Sequence, residues 1–127
     1  MTEYKAKQDN LVLSKKVGPE TIKSLVTDLS SEDGQLRIRA RKSLVAIGSR
    51  SIKPLVKSLS SETEWVRWEA AKALGQIGDS AATQALIKAL EDKMFDVPWL
   101  AAEGLISIDR KALVPLLIAL IEHPDSL

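Results

Sequence analysis

The chain has no cysteine, a single histidine and few aromatic residues: three tryptophans, one tyrosine and one phenylalanine. Without cysteine there is neither a disulfide framework nor a thiolate nucleophile. A metal site needs several His, Cys or carboxylate ligands at convergent spacing, and the lone His123, beside Pro124, reads as a solvated residue near the C-terminus. The serines show no nucleophile elbow and no histidine partner. The six glycines occur singly, so no phosphate-cradling loop is expected. No apolar run is long enough to cross a bilayer, and the first residues lack the basic-then-apolar profile of a secretory signal. These absences point to a protein that is not an enzyme, with no cofactor, no membrane span and a cytoplasmic address.

What is present is a repeat. Leu36 to Gly48 (LRIRARKSLVAIG) returns as Val66 to Gly78 (VRWEAAKALGQIG) and again as Val97 to Asp109 (VPWLAAEGLISID), at steps of about thirty residues. A shorter leucine-rich block keeps the same step: Leu25, Val26 and Leu29; Leu55, Val56 and Leu59; Leu86, Ile87 and Leu90; Leu116, Leu117 and Leu120. The blocks alternate, so each unit is a short segment, a polar turn and a longer alanine-rich segment.

Both blocks carry helical periodicity. Val66, Ala70, Ala73, Leu74 and Ile77 fall on one stripe at about 100° per residue, where strand alternation fails. Pro54 and Pro115 sit within the first turn of their expected helices, where a missing N–H costs little. Gly48 and Gly78 stand where helices close through a left-handed residue, and Asp79 and Asp109 stand where a side chain accepts hydrogen bonds from the start of the next helix. The spacing predicts helices at about 20–29, 35–48, 51–59, 65–78, 81–91, 96–108 and 111–122. Short polar turns join them as antiparallel neighbours. Trp65 and Phe95 precede two of the longer helices and read as staples that fix the turn.

The run V-R-x-x-A-A-x-A-L-G-x-I-G-D at Val66 to Asp79, followed by Ala85 to Asp92, resembles one cycle of the HEAT-repeat family, in particular its short-repeat subclass also met in phycobilin lyases. The resemblance covers about residues 20 to 125. It implies an all-α, right-handed α-solenoid of about three and a half helical hairpins, at about 20–48, 51–78 and 81–108 with a final helix at 111–122, preceded by residues 1–17 as an arm or a partial capping helix. It also implies a scaffold for other macromolecules, with an accessory role in a bilin-lyase-like complex as a further reading. The paired His-Glu motifs of deoxyhypusine hydroxylase, a related-looking helical-repeat enzyme, are absent. Two departures stand out: Ser49 replaces Asp79, and Pro98 replaces Arg37 and Arg67, so a ladder of arginine and aspartate contacts would be incomplete.

Charge is nearly balanced overall, at +1, but uneven along the chain. Residues 1–63 hold twelve Lys or Arg against seven Asp or Glu, and residues 64–127 hold six against ten, a net of +5 and −4. Arg37, Arg39, Arg41, Lys42, Arg50, Lys53 and Lys57 lie close together in sequence. Either they keep the helix faces solvated, or they form a basic patch that steers an acidic partner or a nucleic acid. They spread around two helices and not along one stripe, which favours a protein or peptide partner over a phosphate track.

With Val66 at 0°, Trp68 falls at about 200°, Lys72 at about 240° and Gly75 at about 180° on the helix. The equivalent positions are Ile38, Lys42 and Val45 in the first unit and Trp99, Glu103 and Ile106 in the third. The resemblance implies that these nine line a concave groove with an aromatic centre, suited to interface hot spots. The alternative is that Trp68 and Trp99 pack against each other or the adjacent repeat. Lastly, the sequence reaches Leu127 where earlier units turn into their second helix, leaving Leu113, Leu116, Leu117, Ile118, Leu120 and Ile121 without a partner. The expectation is a longer array or self-association through this last helix.

Overall fold

A computed structural model describes residues 17–122 of the chain. The expected N-terminal arm, apart from Val17, and His123 fall outside these residues. Every regular element among the described residues is helical. Helix α1 (Pro19–Asp28) starts with proline at its first position, and α2 (Gly34–Ile47) is capped by Asp33, whose carboxylate accepts from Gln35 N at 2.9 Å. After a single 3-10 turn come α3 (Ile52–Ser58) and α4 (Glu64–Ile77). A second such turn, Ser80–Ala82, leads into α5 (Thr83–Ala89), and α6 spans Asp96–Glu122. As the periodicity predicts, Asp79 accepts from Ala81 N at 2.9 Å.

The helices form two layers. Helices α1 and α3 lie side by side with the Ser80–Ala82 turn beyond, while α2, α4 and α6 lie side by side in the second layer. Each short helix also packs on the long helix that follows it. Leu29, Leu55 and Leu86 from the first layer meet Leu44, Ala70, Ala73, Leu74, Val97 and Ala101 from the second, and all are buried. Burial is broader than the single stripe that periodicity gives. Ala71, at about 140° from Val66, is also fully buried, because α4 is flanked by α2 and α6 as well as covered by the first layer.

The turn inside each hairpin is built the same way three times. Ser31, Ser61 and Asp92 each accept, through a side-chain oxygen, the backbone N–H two residues on, at Asp33, Thr63 and Met94. One turn into the next helix, Arg37 and Arg67 donate back to the carbonyls of Ser31 and Ser61, at 2.6 and 2.9 Å. Pro98 removes this tie from the third unit, consistent with the departure seen in the sequence. Arg67 also forms a two-point bond with Asp92 of the next turn, at 2.9 and 3.3 Å, so one rung of the arginine–aspartate ladder is present. Phe95 does not staple its turn: it is 84% exposed.

The largest correction concerns the end of the array. The predicted break near residue 109 is absent, and α6 runs from Asp96 to Glu122 as one helix of 27 residues. The separate helix 111–122 is therefore the second half of α6, Asp109 is no cap, and Pro115 lies inside the helix and not in a first turn. The reason is local. Gly48 and Gly78 end α2 and α4 with φ of 80° and 67°, a backbone that side chains rarely adopt, and the third unit has Asp109 at that place. The helix continues, and Lys111 on its next turn donates to the Ile77 carbonyl at 2.9 Å, lying over Gly78 where a side chain would collide with it. Because 111–122 continues α6, Ile87 of α5 and Leu90 just after it stay exposed, whereas Val56 of α3 and Leu59 just after it, at the matching places, are half-buried.

Candidate interaction groove

The nine predicted groove residues lie on α2, α4 and α6, and the structure divides them. A depression of about 330 Å³ between α2 and α4 is lined by Gly34, Arg37, Ile38, Arg41, Trp65, Trp68, Glu69 and Lys72. A second, of about 350 Å³ between α4 and α6, is lined by Lys72, Gly75, Gln76, Leu100, Glu103, Gly104, Ser107 and Lys111. Lys72 borders both. Of the predicted nine, Ile38, Trp68, Lys72, Gly75 and Glu103 line these hollows, while Lys42, Val45, Trp99 and Ile106 line neither. Val45 packs against the core, whereas Trp99 and Ile106 stand exposed.

The two tryptophans differ in kind. Trp68 is half-buried and packs on the core, with the Arg41 guanidinium 5.7 Å and the Lys72 ammonium 5.1 Å from its ring centre. Thus it does pack against the adjacent repeat, through Arg41 of α2. Trp99 is 65% exposed, and its indole N–H donates to the Glu103 carboxylate one turn on, at 2.9 Å. Trp65, read from sequence as a staple, lines the first hollow with Arg37 stacked 5.8 Å from its ring.

Gly75 serves the packing as well as the hollow. A Cβ built on it would stand 3.1 Å from the Cα of Gly104, and one on Gly104 would stand 3.0 Å from the Cα of Gly75. The pair lets α4 and α6 cross backbone to backbone, which sets the floor of the second hollow.

The structure does not bring the predicted basic patch together. Arg41 is buried, its side chain 9% exposed, and it donates to Glu69 at 2.8 Å. Arg37 lies 3.9 Å from the same carboxylate. Arg50, Lys53 and Lys57, with Lys23, instead rim a wide depression of about 1090 Å³ between α1 and α3, floored by Ile22, Val26, Pro54 and Val66. Arg39 is exposed on α2 and lines none of the three depressions. The physical cause is packing: Arg37 and Arg41 face α4 while α1 covers another side of α2, so the cations of α2 do not share one free face with those of α3.

Glu69 is the residue that sequence reasoning missed. Its side chain is 5% exposed and holds Arg37 and Arg41, two of the three arginines of α2. A signal was present: at about 300° from Val66 it borders the buried stripe, and a carboxylate there requires a cationic partner. Among the described residues no group of His, Cys, Asp or Glu is placed to hold a metal ion, and no helix is long and apolar enough to cross a membrane.

A family model described as HEAT repeats matches residues 22–97, more than half of the chain. The chain belongs to the HEAT-repeat family. No curated protein matches it. HEAT repeats commonly serve as scaffolds for protein interaction, and the family is generally non-catalytic. In this HEAT array the alternation of short and long helices, the arginine returns to the intra-hairpin turns and the closing glycines all fall within or beside the matched segment.

Proposed function

We propose that this HEAT array is a non-catalytic scaffold that grips a protein or peptide partner along the strip formed by α2, α4 and α6, the concave side of a right-handed superhelix. The observation that carries the reading is the placement of Trp68 and Trp99 on adjacent helices of one layer, beside two hollows that meet at Lys72. Aromatic side chains offer large contact area at small entropic cost, and clustered rings with nearby cavities are what interface hot spots use. The mixed charge of the strip, with Lys72 near its middle and Glu103 toward α6, favours a partner of alternating chemistry over a uniform polyanion. Division of the basic residues between two separate depressions weakens the nucleic-acid reading, since phosphate binding gains from cations arranged along one track.

The test is capture from the cells that make the protein, with untreated and nuclease-treated lysate, using wild type and Trp99→Ala. A protein retained by wild type and reduced at least about tenfold by Trp99→Ala supports the strip, because truncating an exposed hot-spot aromatic typically costs about 2 kcal/mol or more of binding. Retention that survives the change but vanishes with nuclease treatment would transfer the function to nucleic acid.

A further inference from the structure

We infer that the hollow between α2 and α4 is a subsite for a single acidic side chain, aspartate or glutamate, of a peptide segment bound in the strip. This deepens the scaffold reading above and rests on it. The argument begins with charge. Arg37, Arg41 and Lys72 line the hollow against one carboxylate, Glu69. Glu69 bonds Arg41 at 2.8 Å and stands 3.9 Å from Arg37, too far for a hydrogen bond. The Nε atoms of both arginines are covered and have no hydrogen-bond partner, so the local positive charge is neither neutralised nor fully hydrogen-bonded within the fold. Unlike Arg41, Lys72 has no carboxylate partner among the described residues. Its ammonium sits 5.1 Å from the centre of the Trp68 ring.

The surroundings make that excess effective. Trp65 and Trp68 stand at the same hollow, each with a cation against its face, which holds the guanidinium and ammonium groups in place and keeps water from screening them from the ring side. The space is about 330 Å³ and open to solvent, room for one carboxylate side chain with its neighbours and not for a strand of phosphates. A polyanion is further opposed where the strip continues onto α6, since Glu103 lies there with its carboxylate bonded to Trp99. A carboxylate entering the mouth meets Lys72 and the partly exposed Arg37, whose charges Glu69 leaves uncompensated, and can form with them the charge-assisted bonds that are the strongest of their class.

Selection of a random dodecapeptide library on the immobilised full chain tests the inference. The expected result is enrichment of peptides with an Asp or Glu whose change to Asn or Gln lowers affinity at least about tenfold, with the same loss on Lys72→Gln or Arg37→Gln in the protein. Binding should weaken with salt, and the indole NMR signals of Trp65 and Trp68 should shift. Lys72→Gln keeps the buried Arg41–Glu69 pair, so its melting temperature checks that the fold is intact; were Arg37→Gln to unfold, Lys72→Gln alone decides. Enriched peptides that depend on Trp99 but tolerate loss of every acidic residue overturn the subsite and leave the scaffold reading standing. A library from which no peptide sensitive to Trp68 or Trp99 emerges overturns both. Tighter binding of a single-stranded oligonucleotide than of any acidic peptide, lost with Lys72→Gln, also overturns the inference and assigns the hollow to phosphate.

Discussion

Glu69 holds two arginines of the preceding repeat while nearly excluded from water, so its removal leaves Arg41 charged, buried and unpaired. Breaking one side of such a pair costs far more than an exposed ion pair is worth. Glu69→Gln is therefore expected to lower the unfolding free energy by about 3 kcal/mol in urea denaturation. A loss below about 1 kcal/mol would mean that Arg41 swings out to solvent instead, and the first hollow would then not be preformed. The two tryptophans separate in the same experiment. Trp99→Ala should leave Tm nearly unchanged, because the ring is mostly exposed and bonded only to Glu103 on its own helix. Trp68→Ala should lower Tm by several degrees, since that ring packs on the core. The periodicity treats these residues as equivalent. Their difference comes from what stands opposite: Arg41 covers Trp68, while Trp99 is on α6, the last long helix of the layer among the described residues.

The crossing of α4 and α6 depends on two glycines in contact. Gly75→Ala and Gly104→Ala each place a methyl group 3.1 or 3.0 Å from the backbone of the facing helix, which cannot swing aside as a flexible side chain would. Overpacking of this kind costs about 1 to 3 kcal/mol, and the gain of up to about 1 kcal/mol from better helix propensity offsets it only in part. Both variants should unfold at lower denaturant than wild type, Gly104→Ala earlier because its methyl also meets Leu86 at 3.1 Å. If either were stabilised, the helices would have to be further apart than the structure has them. The continuation of α6 past residue 108 obeys the same local logic as the closure of α2 and α4: where glycine is present the chain turns, and where Asp109 stands it does not.

Stacked repeats share their stability through neighbouring interfaces, so a defect in a central helix affects the whole array. Leu74 is fully buried in α4, which touches α2, α3 and α6. Leu74→Ala should cost about 2 to 5 kcal/mol and shift a single cooperative transition, a large share of what a chain of this size possesses. The second half of α6 makes the opposite contribution. Leu113, Val114, Leu116, Leu117, Ile118, Leu120 and Ile121 are all exposed on it, an apolar surface beyond what isolated proteins usually leave uncovered. Light scattering of wild type should accordingly give a mass that rises with concentration, through pairing of this helix with a second copy, and Leu117→Lys with Ile121→Lys should return it to the monomer value. A constant monomer mass for wild type at high concentration would contradict the pairing.

Composition and period alone determine much of this protein: its helical class, the alternation of short and long helices, the polar turns, the closing roles of Gly48 and Gly78 and the cap at Asp79 are all legible, because each depends on residues within a few positions of one another. The stripe from Val66 to Ile77 is legible for the same reason. Tertiary structure decides what depends on neighbours distant in sequence. Arg41 reads as a surface cation until Glu69, twenty-eight residues on, is brought against it. Gly75 reads as a gap in a groove until Gly104 arrives at its backbone. The two hollows exist only because three long helices lie side by side, and their division at Lys72 follows from which faces those helices turn toward each other. Periodicity reports where a residue lies around its own helix, whereas burial and charge depend on how many other helices surround that position.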